Sequence, residues 1–154
     1  MPVPTDEVER RVSQLATSLR GSGLRLTHQR LEVAREIAAD ESHPDVETIY
    51  RGVRKRVPTI SLDTVYRTVA ALVDLGLVGR VNENPGPTRY DANRERHHHY
   101  VCTRCGLIRD VYSDTLNGIE APEQVSGLGT VESVRVHLRG VCKTCERKGN
   151  DSER

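Results

Sequence analysis

All four cysteines of the chain occur in two pairs, Cys102-Thr-Arg-Cys105 and Cys142-Lys-Thr-Cys145. Two such pairs place four thiolates where two turns converge on one tetrahedral ion, the arrangement of a structural zinc site. The 36 residues between the pairs exceed the usual zinc-finger spacing and leave room for a small sheet. The rival chemistry is redox: two disulfides, or one thioredoxin-like pair. The N-terminus, MPVPTDEVERR, is polar and lacks the apolar core of a secretory signal. The expected compartment is therefore the cytoplasm, where structural disulfides are rare. With no spare cysteine, one closed four-thiolate zinc site is the favoured reading.

Histidine supplies a second signal. His97, His98 and His99 sit just before Cys102. In a strand, alternate side chains face the same way, so His97 and His99 share a face and His98 points away. Asp91 lies six residues before His97, Asp110 falls in the strand-like GLIRDVY, and His43 stands in Ser-His-Pro. Three imidazoles and two carboxylates form a mixed nitrogen and oxygen set. Without a thiolate, such a set suits iron(II), manganese(II) or zinc better than copper(I). The alternative is a polar surface run and an ordinary loop histidine.

The elements that must position these groups are legible from periodicity. Val8, Val12, Leu15, Ala16 and Leu19 mark a helix over residues 6–20, stopped by Gly21 and Gly23. Thr27 can cap a second helix carrying Leu31, Ala34, Ile37 and Ala38. Asp45 can cap a third, with Val46, Ile49, Tyr50, Val53 and Val57, ended by Pro58. Ser61 can cap a fourth, with Val65, Val69, Leu72 and Val73 inward and Gly76 closing it. LVGRV (77–81), the turn NENPGPT (82–88) and then RYD read as a two-stranded wing.

Helices followed by such a hairpin describe a winged helix, whose last helix enters the major groove of DNA. Ser61, Thr64, Tyr66, Arg67 and Thr68 lie near the start of that helix as candidate contacts. Arg25 and Arg56 join them from two runs without an acid, residues 20–31 and 51–62. The competing reading is a helical interaction domain with solvated charges.

Composition points to a need for extra support. The 154 residues include five tyrosines (50, 66, 90, 100 and 112) but no Phe or Trp, and hydrophobic residues make up 36%. Leu and Val must therefore fill the core, and a metal, a disulfide or a partner subunit must add to it. So few aromatics also argue against a stacking platform for single-stranded nucleic acid. No stretch is long and apolar enough to span a membrane.

Six motifs, GLRLTHQRLEVAREI, SHPDVETIY, ISLDTVYRTVAALVDLGLV, GPTRYD, HHHYVCTRCGLIRDV and GVCKTC, follow one another over about residues 20–147. In order and spacing this pattern resembles the ferric-uptake-regulator superfamily. The resemblance implies an α+β chain: a winged-helix DNA-binding domain over 1–88, a C-terminal α/β dimerisation and metal-sensing domain over 89–149, and a tail over 150–154. It implies structural zinc on Cys102, Cys105, Cys142 and Cys145. It assigns exchangeable iron(II) or manganese(II) to His43, Asp91, His97, His99 and Asp110. Aspartate at both 91 and 110 is the pattern of the peroxide-responsive regulators, whereas iron-uptake regulators often carry glutamate there. Zinc-uptake regulators bring an extra cysteine, which this chain lacks. Arg96, Asn117 and Val134 stand where an additional metal site would have ligands, so that site is expected to be absent. His98 and His137 are then expected to be surface polar residues.

The implied activity is that of a homodimeric repressor on a palindromic operator of double-stranded DNA. Peroxide would oxidise an imidazole at His43 or His97 through bound iron(II), and the altered site would release metal and DNA. That is self-modification without turnover, so no enzyme is expected. An iron-responsive repressor is the alternative within the family. Outside it stand a redox enzyme and a metal-storage protein.

Overall fold

The computed structural model describes residues 3–82 and 85–151. Two expected features fall partly outside them: the wing turn, at residues 83 and 84, and the tail, at residues 152–154.

Helix α1 (Thr5–Gly21) buries Val8, Val12, Leu15, Ala16 and Leu19, all on one face by their spacing of three or four. The next three helices each begin where a short polar side chain accepts an N–H three residues on. Thr27 accepts from Arg30 at the start of α2 (His28–Ala39). Asp45 accepts from Thr48 at α3 (Val46–Arg54), and Ser61 from Thr64 at α4 (Leu62–Asp74). Each such cap contributes about 1 kcal/mol. Helix α3 stops before Pro58 because the N–H groups of Lys55 and Arg56 bond back three residues, to Gly52 and Val53. Helix α4 closes on Gly76 at φ 68. There Gly76 N donates to the Val73 carbonyl and Leu77 N to the Leu72 carbonyl, each at 2.9 Å. Leu77 is thereby tied to the helix end, so the first wing strand starts only at Gly79.

These helices share one aliphatic core, centred on Leu15, Leu19, Ile37, Ile49, Val53, Val65 and Leu72. Burying each such side chain is worth about 1.5–3 kcal/mol. Gly52 sets how closely α3 approaches α2, since a Cβ there would lie 1.8 Å from Glu36 Oε1. Beyond it Arg56 reaches back, its Nε 2.5 Å from Glu32 and its Nη2 2.7 Å from Glu36. Strands β1 (Gly79–Val81) and β2 (Arg89–Asp91) pair antiparallel, Arg80 opposite Tyr90, and form the wing.

The chain divides into two compact units, Met1–Arg94 and Glu95–Arg154. The division falls later than the 88/89 boundary because β2 is hydrogen-bonded to β1 and belongs to the first unit.

The second unit is built on β3 (His98–Cys102), β4 (Ile108–Val111) and β5 (His137–Gly140) in the order β4-β3-β5. Strand β4 runs antiparallel to β3 and β5 runs parallel. A short helix α5 (Asp114–Asn117), a 3-10 turn (Glu123–Val125) and helix α6 (Lys143–Asp151) complete it. Among its described residues, the buried apolar side chains are only Val101, Cys102 and Ile108, alongside buried His97, His98 and His99. So small an apolar core cannot offset the entropy of ordering the unit, and further support must come from its cysteines or a partner.

Candidate metal centres

The parallel pairing of β3 with β5 explains why the two cysteine pairs meet. Register sets Cys102 opposite Gly140, so both strands end at the same edge. Each then runs straight into its Cys-x-x-Cys turn. The β3 side turns tightly, Gly106 donating to the Cys102 carbonyl at 3.0 Å, and Thr103 N ties it to the Gly140 carbonyl at 2.8 Å. On the other side, Glu146 N bonds the Cys142 carbonyl at 2.9 Å, starting α6.

The four Sγ atoms all lie within 4.8 Å of one another, and Cys105 and Cys142 are 3.8 Å apart. Zinc–sulfur bonds of about 2.3 Å in a tetrahedron put sulfurs about 3.8 Å apart, so the cluster fits one zinc ion. One mutual group of four suits a closed site better than two separate disulfides. Cys142 N donates to Cys102 Sγ at 3.3 Å. Backbone N–H groups of Cys105 and Cys142 hold the Cys102 thiol down, at about 6. Hydrogen bonds with Cys105 and Cys142 push Cys145 up to about 12. Without an ion the cluster thus shares protons unevenly among crowded sulfurs, which a divalent cation would displace.

The histidine run splits as strand alternation requires. His97 and His99 bring their Nε2 atoms 3.1 Å apart. Asp110 sits opposite His99 across β3 and β4. Its Oδ1 is 3.6 Å from His97 Nε2 and 3.7 Å from His99 Nε2. Two donors on one ion at about 2.1 Å can be at most about 4.2 Å apart, so all three fit a common ion. His97 Nδ1 lies 2.6 Å from the Glu95 carbonyl. A proton there leaves the Nε2 lone pair facing His99 and Asp110, the outer-shell arrangement of a metal-binding imidazole.

In the first unit, His43 and Asp91 form a second donor pair, both almost wholly buried, with Nδ1 and Oδ1 3.6 Å apart. His43 stands immediately before Pro44 and holds φ 56, the only non-glycine with positive φ among the described residues. Asp91 ends β2 and accepts Asn93 N at 2.8 Å.

His98 corrects an expectation. It is not a surface residue but is fully buried. Its Nδ1 accepts Val136 N at 3.0 Å and its Nε2 lies 3.0 Å from Asn117 Oδ1. The first bond fixes the proton on Nε2, which donates to Asn117. Arg96 also donates to the Asn117 carbonyl, at 2.7 Å. His137 is half-buried rather than surface, its ring 5.3 Å from that of His99.

The proposed DNA-contact residues divide by exposure. Tyr66 is 53% exposed. Arg67 is held 2.8 Å from Asp63, one turn back on a solvated face. Ser61 and Thr64 share a hydroxyl contact at 2.9 Å at the start of α4. Thr68 is buried, its hydroxyl donating to the Thr64 carbonyl at 2.8 Å, and so cannot reach a base. Arg25 is exposed. Arg56 is committed to Glu32 and Glu36, so its charge is already neutralised within the helices. Burial alone would raise the Glu32 carboxyl, but Arg56 overcomes this and holds it below its ordinary value. Arg89, within GPTRYD, has a role that no sequence signal announces. Its guanidinium donates to the Ser42 and His43 carbonyls. Nothing in a linear motif signals an arginine that grips backbone oxygens over forty residues away.

Comparison with known proteins gives a consistent set of likenesses. The ferric uptake regulator family profile matches residues 21–139. The peroxide-responsive repressor PerR of Staphylococcus aureus is 32% identical over 148 residues, covering 96% of this chain and 100% of that protein. The Campylobacter jejuni peroxide stress regulator matches with a TM-score of 0.63 and 30% identity, over 87% of this chain and 98% of that one. The Helicobacter pylori ferric uptake regulator has a TM-score of 0.71 at 22% identity, over 95% and 97%, and speaks for the fold alone.

Proposed function

The chain belongs to the ferric uptake regulator family, and from that premise we propose that it is a homodimeric repressor that senses peroxide through an exchangeable metal. As a member of that family it is a metal-responsive transcriptional regulator rather than an enzyme. We assign zinc to Cys102, Cys105, Cys142 and Cys145 as permanent scaffold. We assign His43, Asp91, His97, His99 and Asp110 as ligands of iron(II) or manganese(II).

The observation that carries the metal-responsive reading is the convergence of His97, His99 and Asp110 around one point, with His97 Nδ1 held by a carbonyl. No thiolate enters the set, so iron(II) or manganese(II) suits it by donor chemistry. Aspartate rather than glutamate at 91 and 110, and the names of relatives about a third identical over nearly the whole chain, support peroxide as the signal. Unequal affinity for two conformations of the dimer would let metal favour the DNA-competent one.

Iron(II) held by this ligand set would supply the redox chemistry toward peroxide. In the net change, peroxide would take two electrons from an imidazole of His43 or His97. One ring C–H becomes C–OH, which settles as its carbonyl tautomer, so the ring gains one oxygen and the other peroxide oxygen leaves as water. The oxidised ring is a weaker donor, so the ligand set loses affinity and DNA is released. The homodimer reading draws on β5, which forms one edge of its sheet and carries exposed Leu138. Ile119, Leu128 and Val131 are also exposed in the same unit. A palindromic operator of double-stranded DNA follows from two such chains. A cytoplasmic location accords with the absence, among the described residues, of any helix long and apolar enough to cross a membrane.

The test is peptide mass spectrometry of iron-loaded protein after one equivalent of peroxide. One added oxygen on His43 or His97, with loss of DNA binding, is expected. Histidines without added oxygen and DNA binding intact would leave an iron-responsive repressor as the better reading.

A further inference from the structure

We propose that Arg89 is a positioning residue for His43, setting the aim of its imidazole from the wing. The inference rests on the reading of His43 and Asp91 as ligands of the exchangeable metal.

A residue that precedes proline is normally driven to extended backbone. His43 precedes Pro44 yet holds φ 56, a conformation that L side chains adopt only when their surroundings over-determine it. Those surroundings are visible. On one side, Asp40 Oδ1 accepts Ser42 N at 2.8 Å and the Ser42 hydroxyl at 2.5 Å. On the other, β2 supplies three donors. Arg89 Nε donates to the His43 carbonyl, Arg89 Nη2 to the Ser42 carbonyl, and Tyr90 N to the Pro44 carbonyl at 3.1 Å.

The guanidinium is a flat fork with two donors fixed in one plane, and here it spans two successive carbonyls. Arg89 and Asp91 are two apart in a strand and share a face of β2. One grips the backbone of His43 while the other lies 3.6 Å from its Nδ1. A single three-residue strand thus fixes both the carboxylate ligand and the unusual backbone that aims the imidazole. Without the fork, the Ser-His-Pro turn can relax toward extended backbone and swing the ring away. Partners that orient ligands in this way govern metal affinity about 10–100-fold.

The test uses the full-length, zinc-loaded chain with manganese(II) alone, free ion being read by electron paramagnetic resonance. Arg89→Ala should weaken manganese(II) binding about 10–100-fold and shift the visible bands of cobalt(II) bound in its place. Zinc content, helical circular dichroism and the melting midpoint without manganese should stay at wild-type values. Arg89→Lys keeps the charge but loses the fork, so it should recover only part of the affinity. Wild-type affinity in either variant overturns the inference. So does a fall in affinity that only tracks lost helicity, with Lys restoring both in full. If Arg89→Ala fails to fold, Arg89→Lys decides by the same criterion. Asp91→Ala separates the two claims. If wild type takes up no manganese, or Asp91→Ala binds it equally well, the ligand reading itself fails. If Asp91→Ala abolishes binding and the Arg89 variants do not change it, only the positioning role fails.

Discussion

Asp110 stands directly opposite His99 in the β3–β4 pair, and one of its carboxylate oxygens lies almost equally far from His99 and from His97. The register that builds the sheet therefore also builds the ligand group. Asp110→Asn removes a charge from that group while preserving shape. It should lower manganese(II) affinity at least about tenfold, leave zinc content unchanged, and weaken metal-dependent DNA binding in a gel-shift titration. Retained affinity would remove Asp110 from the ligand set.

The cysteine cluster should behave differently, because it supports the thin core of the second unit. Cys102→Ser should lose zinc and the cooperative melting of residues 95–154, whereas the helical unit should still melt. Structural zinc contributes about 10–16 kcal/mol in small domains, more than so small a core can replace. Cys102 carries a thiol lowered from 9.0 to about 6, so its thiolate favours the fold above pH 9 and that contribution fades as pH falls through 6. Zinc affinity should fall in the same direction, measured by competition with a chromophoric chelator between pH 5 and 8. An affinity that is flat over this range would contradict the four-thiolate assignment.

How much of this was legible in the sequence depended on whether the determinant was local. Thr27, Asp45 and Ser61 cap their helices as their types and positions imply, and the alternation of His97 and His99 follows from strand geometry alone. The cysteine pairs declared their chemistry by spacing. What could not be read were side chains whose partners are distant in the chain. Arg56 looked like a free cation in an acid-free run, but Glu32 and Glu36 lie on the neighbouring helix. His98 reads as an exposed histidine in the sequence because its partners, Val136 N and Asn117, are remote along the chain. Arg89 had no visible role for the same reason.

His98 gives a direct check on that correction. His98→Ala removes the acceptor of Val136 N and the donor to Asn117, leaving buried polar groups unsatisfied at about 1–3 kcal/mol. The second unit should melt at lower temperature while its manganese(II) affinity per folded chain is unchanged. A selective loss of manganese binding would instead make His98 part of the metal site.

Arg56→Ala should lower the stability of the helical unit by about 1–2 kcal/mol, discounted because the arginine side chain is 42% exposed to screening solvent. The penalty has a definite pH dependence. Glu32 is held below 4.5 by Arg56, so the pair stabilises the fold above the ordinary carboxylate value and less as pH falls through the depressed one. In the variant, burial acts on Glu32 with its nearest partner gone, and protonation then favours the fold. The difference between wild type and variant in urea melts should therefore be greatest near pH 7 and shrink below pH 4. A constant difference would mean that Arg56 acts by packing alone.

Arg67 and Arg56 distinguish DNA contact from internal pairing. Arg67 projects from α4 with its side chain 81% exposed, and Asp63 is its exposed partner, a pair that surface solvation leaves worth only about 0.3–0.5 kcal/mol. Phosphate can displace Asp63 at that small cost, and each neutralised phosphate adds about 0.9 to the slope of log affinity against log salt. Arg67→Ala should therefore weaken operator binding and reduce the slope by about one unit. Arg56, held by two carboxylates, cannot release its charge so cheaply. Arg56→Ala, compared at equal folded concentration, should leave the slope unchanged. Fluorescence anisotropy of manganese-loaded protein on operator DNA, titrated with potassium chloride, measures both. A slope lowered by Arg56→Ala would show that DNA draws the guanidinium away from Glu32 and Glu36, and an unchanged slope for Arg67→Ala would confine that residue to its pairing with Asp63.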